Sequence, residues 1–431
     1  MEMNENMMDA PSTSEEAMAL ENRHGAHNYH PLPVVLDRGI GVNVWDIEGK
    51  QYFDFLSAYS AVNQGHCHPA IVKAMQDQTE KLTLTSRAFY SSNLGKYEQF
   101  ITEYFGYDKV LPMNTGAEAV ETAIKIARKW AYDIKGVPNN CAKIITCSEN
   151  FHGRTTTIVS FSTDDDATGG FGPYTPGFEV IPYNDLKALK AAVADPNVAG
   201  FLVEPIQGEA GVNVPADDYI RKAHEICKEA NVLFMADEVQ TGIARTGALL
   251  ATCGNCTCSG SCERQATFTK ADLLILGKAL SGGAYPVSAV LADEDVMSVI
   301  HPGQHGSTFG GNPVAAEVAI AALSVVRDED LALNARTLGA QFRSGIEQIA
   351  TECNLIKLVR GRGLLNAVII NDSPDSSTAW DLCVSMKDNG LLAKPTHGNI
   401  IRFAPPLVIT EEQLDESLAI IRKTFLEFKK G

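Results

Sequence analysis

Two kinds of periodicity divide the chain. From about Val34 to Tyr59, apolar and polar residues alternate with period two around a polar Glu48-Gly49 turn, which predicts a meander of short strands. Beyond His68-Pro69 the period changes. AIVKAMQDQTEKL (70–82) repeats its apolar residues at helical spacing, and from there helices alternate with short runs that are apolar throughout. The predicted strands are KVLPMN (109–114), AKIITC (142–147), TTTIVSF (155–161), GFLVEP (200–205), NVLFMADEV (231–239), DLLILGK (272–278) and PVSAVLA (286–292). Runs without alternation mark strands covered on both faces. The expected fold is therefore α/β, a large domain with a mainly parallel seven-stranded sheet flanked by helices. After Asn312-Pro313 a long helical stretch leads to strands near LLNAVII (364–370) and IIRFAPPL (400–407), then a final helix from about Glu411 to Lys429. That is a smaller α+β C-terminal domain. The expected segments are a disordered acidic tail (1–21), an N-terminal segment with the meander (22–62), the large domain (63–315) and the small domain (316–431).

Charge narrows the partners. Thirty-six basic residues against 53 acidic leave a net charge of −17 over 431 residues. A surface of that sign repels nucleic acid and anionic membranes, and no apolar run reaches the ~18 residues that span a bilayer. Six acidic residues precede the first basic one, Arg23. A secretory signal or organelle transit peptide has the opposite bias, so the cytoplasm is the expected compartment.

Ligands in parallel sheets bind at the carboxyl ends of strands, and three such ends carry unusual residues. VLFMADEVQTG ends a strand on Asp237, with Gln240 just beyond; DLLILGKALSGG puts Lys278 in the same place; KVLPMNTGAEAV runs through Thr115-Gly116 directly into a helix. Singly, these read as a helix cap, a solvated turn and a helix start. Jointly they offer a carboxylate, an amine and a phosphate cradle at a helix N-terminus. No GxxxxGK[ST] is present to make that cradle a nucleotide P-loop. The combination suits pyridoxal 5′-phosphate, which needs a lysine for its imine and an acid to keep its ring nitrogen protonated.

TGAEAVETAIKIARKW, NFHGRT, VEPIQGEAGV, ADEVQTGIARTG, LGKALSGGAYPVSAVL, HGSTFGGNP, RGRGLLNA and NGLLAKPTHGNIIRFAPPL follow one another in the chain. From about Gly25 onward they resemble class III pyridoxal-phosphate aminotransferases (fold type I), and most of all the eukaryotic ornithine aminotransferases. The resemblance implies that Lys278 carries the imine, Asp237 pairs with the ring nitrogen, Gln240 reaches the ring oxygen and Phe151 stacks on the ring. It also implies that Thr115, Gly116 and Ala117 hold the phosphate, joined by Thr308 from the second subunit of a homodimer. Ornithine is the implied donor and 2-oxoglutarate the acceptor, giving glutamate 5-semialdehyde, a proline precursor, and glutamate. Arg402 would take the carboxylate next to the keto group and Arg154 the distal one, while Glu209 would pair with Arg402 when ornithine is bound. Tyr29 and Tyr59 match positions at the ornithine end. Glu204 matches an acid near the cofactor whose role stays open, and His152 stands where the family pattern has tryptophan. 4-Aminobutyrate or N-acetylornithine as donor is the alternative within the class.

One segment departs from the resemblance. CGNCTCSGSCERQATF places Cys253, Cys256, Cys258 and Cys262 within ten residues. An inert loop, a redox switch with a thiol-redox partner, and a metal site all remain open readings, although the spacing is tight for four thiolates on one zinc. No metal ligand is assigned.

Overall fold

The structure, a computed structural model, describes residues 10–254 and 269–429. In chain order the strands are β1 (Leu36–Ile40), β2 (Asn43–Asp46), β3 (Gln51–Asp54), β4 (Lys109–Met113), β5 (Lys143–Cys147), β6 (Phe178–Ile181), β7 (Val198–Val203), β8 (Leu233–Asp237), β9 (Leu273–Leu276) and β10 (Ser288–Ala292). They continue with β11 (Ile356–Arg362), β12 (Leu365–Ile370), β13 (Leu391–Leu392), β14 (Lys394–Thr396) and β15 (Ile400–Phe403).

The central sheet has seven strands in the order β4-β10-β9-β8-β7-β5-β6. All its pairings are parallel except those of β10, which runs antiparallel to β4 and β9. Every residue of β7, β8, β9 and β10 is buried, as their unbroken apolar runs require. Because β4, β5, β7, β8 and β9 share a direction, the segments that follow them emerge on one edge of the sheet. The functional candidates lie on that edge.

Two four-stranded sheets complete the fold, β1-β2-β3-β13 and β11-β12-β15-β14. The meander of the first is the expected one, but its fourth strand comes from far along the chain, Leu391 pairing with Phe53 in parallel. Phe55, Phe342 and Phe403 join these regions, their ring centroids 5.4 to 6.2 Å apart. Successive residues on a strand face opposite ways, so with Phe403 in this core its neighbour Arg402 faces the other side.

Three expectations change. Residues Ser14–His24 form a helix rather than disordered chain. Thr13 caps it, Glu15 and Glu16 sit in its first turn and Arg23 and His24 in its last, all complementing the helix dipole. The Ser14 amide and hydroxyl donate to Glu48 at 2.7 and 2.6 Å, tying the helix to the meander. Residues 155–161 are not a strand. Thr155 Oγ1 donates to Glu121 (2.6 Å), and Ile158–Phe161 closes a 3₁₀ turn. The seventh strand is β6 instead, an edge strand with two of its four residues exposed and hence a weak apolar signal. Lastly, the long helical stretch is two helices, Pro313–Asp328 and Leu331–Glu352, separated at Asp330, whose φ of 50° no right-handed helix can carry.

Candidate active site

Each strand of the shared edge delivers one piece. After β4, Thr115 caps the helix Gly116–Trp130 in a capping box with Glu118, so the first backbone amides of that helix face the site. A Cβ on Gly116 would come within 2.9 Å of Val239 Cγ1, so only glycine keeps this approach open. After β5, Asn150 Nδ2 donates to the carbonyls of Cys147 and Phe161 at 2.6 and 2.9 Å, fixing the turn that carries Phe151 and His152. Beyond β7 come Glu204 and Glu209. β8 ends on Asp237, and β9 leads through Gly277 to Lys278.

These residues surround a cavity of about 180 Å³. Lys278 holds a φ of 44°, a conformation costing a residue with a side chain about 1–2 kcal/mol. Strain of this kind persists where surrounding structure over-determines it. Burial pushes the Lys278 ammonium below its ordinary pKa; the charges of Glu209 and Asp237 oppose the shift, and that of Arg402 adds to it. A lysine so placed has a larger share of free amine at neutral pH.

Opposite it, Asp237 Oδ1 accepts from the Val239 amide (3.0 Å) and Oδ2 lies 2.6 Å from His152 Nδ1. Burial alone would depress the His152 pKa, but the Asp237 hydrogen bond and charge, with the charge of Glu204, leave it raised. Glu204 accepts from the Phe151 amide at 3.0 Å. Burial drives its carboxyl up to about 8, against the charge of His152.

At the far wall, Arg402 Nη1 donates to Glu209 Oε1 (2.6 Å), and Gln240 Nε2 donates to the same oxygen (2.9 Å). Burial raises the Glu209 pKa, but the charges of Arg402 and Lys278 outweigh it, so the carboxyl ends below its ordinary value. The Arg402 guanidinium also lies over the ring of Tyr59, 4.8 Å from the centroid. Tyr59 gets there on a left-handed turn. Ser57, Ala58, Tyr59 and Ser60 have φ of 49°, 45°, 60° and 75°, held by Asp54 Oδ1 accepting from the amides of Leu56 and Ser57.

Of the residues expected from sequence, Gly116, Ala117, Phe151, Glu209, Asp237, Gln240 and Lys278 line this one cavity. Thr115 sits at its helical mouth and Arg402 behind Glu209. Arg154 is exposed, its guanidinium 5.7 Å from the centroid of Phe151. Tyr29 is 72% exposed. Thr308 is exposed and does not line the cavity of its own chain. Sequence reasoning missed the contact of His152 with Asp237 and that of Gln240 with Glu209. Cys256, Cys258 and Cys262 lie outside the described residues; Cys253 is buried in the turn Ala251–Cys253. That turn hangs on Glu238, whose carboxylate accepts from the amides of Ala251 and Thr252 at 3.0 and 2.8 Å. Among the described residues, no group of three or more His, Cys, Asp or Glu could hold a metal ion.

Residues 24–425 match the family described as aminotransferase class-III. Two relatives named "Ornithine aminotransferase, mitochondrial" are similar over nearly the whole chain. That of Drosophila ananassae is 58% identical across 97% of this chain and 93% of its own, and that of Rattus norvegicus 56% across 97% and 92%. A crystal structure of acetylornithine aminotransferase from Elizabethkingia anophelis superposes with a TM-score of 0.86, at 60% identity over 96% of this chain and 99% of that one. The expectation of a cytoplasmic protein is overturned, since both named relatives are mitochondrial. It rested on the charge of some twenty residues, and such a segment says nothing about the compartment in which the folded enzyme works. With the family matched over almost its full length and the strand-edge residues gathered in one cavity, the chain belongs to the class III aminotransferases.

Proposed function

We infer that this enzyme transfers the δ-amino group of L-ornithine to 2-oxoglutarate, giving glutamate 5-semialdehyde and glutamate, with pyridoxal 5′-phosphate as cofactor. The observation that carries this reading is the Arg402–Glu209 pair, 2.6 Å apart, on the same cavity as Lys278. The cavity suits the cofactor in two ways. Gly116 leaves the helix start open for a phosphate, and the buried Gln240 Oε1 has no hydrogen-bond partner among the described residues.

Asp237 would hold the ring nitrogen, Phe151 would cover the ring, and Gln240 would reach its oxygen. The amides of Gly116 and Ala117, with Thr115, would receive the phosphate. Lys278 would hold the cofactor covalently. When bound, pyridoxal phosphate supplies an electron sink for the charge left on carbon as a C–H bond breaks. Once the substrate's amine has displaced it from the cofactor, Lys278, its ammonium destabilised by burial, would take the proton from that carbon and return it.

Two substrates must share one pocket. Ornithine offers its terminal amine to the cofactor and its α-carboxylate to Arg154, with Tyr29 and Tyr59 lining that end. Nothing on ornithine then faces Arg402, and a buried charge left unpaired costs about 3–5 kcal/mol. Glu209 fills that role. When 2-oxoglutarate enters, its α-carboxylate takes the guanidinium fork and Glu209 withdraws. The site is shared by two copies of the chain, Thr308 of each reaching the phosphate of the other. The exposure of Thr308 and of its neighbour Phe309 supports this reading.

N-acetylornithine is the second reading, favoured by the 60% identity to the Elizabethkingia enzyme. A coupled assay with 2-oxoglutarate separates them. Ornithine is expected to exceed N-acetylornithine and 4-aminobutyrate in kcat/KM by about tenfold or more. The reverse order would transfer the assignment to the acetylated donor.

A further inference from the structure

We propose that Asp54 is a positioning residue for the substrate end of the site. It fastens the left-handed turn Ser57–Ser60 that sets Tyr59 against Arg402, and through that ring it sets the affinity for substrate. The proposal rests on the function inferred above.

Three observations carry it. First, Ser57, Ala58, Tyr59 and Ser60 are four successive residues with positive φ, and none is glycine. The left-handed region brings each Cβ too close to the following carbonyl oxygen, so such a run persists only where its surroundings over-determine it. Second, the buried Asp54 supplies that constraint with both of its oxygens. Oδ1 accepts from the amides of Leu56 and Ser57 at 2.8 and 2.9 Å, and Oδ2 lies 2.8 Å from His66 Nε2. His66 thus orients the carboxylate, and the carboxylate orients the entry to the turn. Third, the turn is sewn to the chain just beyond Arg402. Ser57 Oγ donates to the Ala404 carbonyl at 2.7 Å, and the Ala404 amide donates to the Phe55 carbonyl at 2.7 Å.

The consequence falls on Arg402. With turn and strand locked together, the Tyr59 ring is held 4.8 Å from the guanidinium. Arg402 Nη1 donates to Glu209, and Glu209 withdraws when 2-oxoglutarate takes its place. Arg402 Nε is buried without a hydrogen-bond partner among the described residues. The face of Tyr59 is then what keeps the guanidinium aimed while one carboxylate replaces another.

The test measures kcat, KM for both substrates and cofactor absorbance in the holoenzymes of Asp54→Ala, Tyr59→Ala and their double variant, with Ala58→Gly as the rescue. Asp54→Ala is expected to raise KM for 2-oxoglutarate and for ornithine about tenfold, the scale of a lost cation–π contact. Its kcat and cofactor absorbance should stay within about twofold of wild type. Adding Asp54→Ala to Tyr59→Ala should raise KM no further, because Asp54 acts through that ring. Ala58 is exposed and glycine enters the left-handed region freely. Ala58→Gly should therefore leave wild type unchanged and bring the KM values of Asp54→Ala back to within about threefold of it. Wild-type KM values in Asp54→Ala would overturn the proposal, as would additive effects of the two alanines, absence of rescue, or kcat and cofactor lost in step with KM. Should Asp54→Ala fail to fold, Ala58→Val decides, since a β-branched residue opposes the left-handed turn at an exposed position. KM raised severalfold at unchanged kcat then supports the proposal, and unchanged KM overturns it. A preference for N-acetylornithine over ornithine would refute the proposed donor instead, and the KM for 2-oxoglutarate would still decide the role of Asp54.

Discussion

At the cofactor end of the cavity His152, Asp237 and Glu204 are 4%, 4% and 7% exposed, and each has its hydrogen bond in place. At the substrate end Tyr29 is 72% exposed, Arg154 is open to solvent, and only Arg402 is buried, against Glu209. These three groups are set by the fold of one chain, because three neighbouring strands deliver them to one edge. The second end is left to be completed by whatever enters. Preorganisation is concentrated where every turnover needs the same geometry. Adaptability is concentrated where two unlike substrates must alternate.

Removing the amine should break the first end outright. Lys278→Ala is expected to lower transamination by at least about ten-thousandfold and to abolish visible cofactor absorbance. Stability should change little, since burial already destabilises the ammonium. Borohydride trapping and peptide mapping check the covalent site, and label on another lysine would contradict the assignment.

Arg402→Ala should come next in size and separate the half-reactions. The step with 2-oxoglutarate is expected to slow about a hundred- to a thousandfold, the scale of a lost buried charge pair. The step with ornithine should lose far less, because there Arg402 only partners Glu209. Following the cofactor spectrum with one substrate at a time reads the two steps apart. Equal losses would mean that Arg402 is structural scaffolding.

The cofactor end also has a pH signature. Burial lifts the Glu204 carboxyl from 4.5 to about 8. Below about pH 4.5 the folded and unfolded chains both keep this proton. Between there and about pH 8 the unfolded chain releases it while the folded one holds it, so stability falls as pH rises. Glu204→Gln has no proton to lose and retains an acceptor for the Phe151 amide. Its advantage in thermal unfolding of the cofactor-free protein should therefore open from near zero at about pH 5 to as much as ~4 kcal/mol by about pH 8. A difference that stayed flat over this range would show that Glu204 is ionised in the folded protein.

The same contrast explains what the sequence disclosed. Asp237 and Lys278 were legible because fully buried parallel strands are continuous apolar runs, and a charge at the end of such a run stands out. β6 was missed and residues 155–161 misread for the complementary reason. An edge strand needs few apolar residues, and a β-branched run takes a 3₁₀ turn when Thr155 finds Glu121. His152 drew notice only as a departure from a pattern, since its partner lies 85 residues away. Tyr59 could be matched but not placed, because nothing in SAYS announces four successive left-handed residues.

The smallest predicted effect tests the open end directly. Arg154 is solvent-exposed and stacks loosely on Phe151, so the contact with ornithine proposed for it would form in a high-dielectric setting where ion pairs are weak. Arg154→Ala should lower kcat/KM for ornithine about tenfold, ~1.4 kcal/mol, mainly through KM. That is well short of the loss expected at Arg402, although both arginines would meet the same kind of group. The difference comes from burial rather than from chemistry, and raised salt should shrink the Arg154 contribution while leaving that of Arg402 nearly intact. If Arg154→Ala matched Arg402→Ala in size and ignored salt, the outer arginine would have to be buried in the working enzyme. That outcome would point to the second copy of the chain proposed above as its cover.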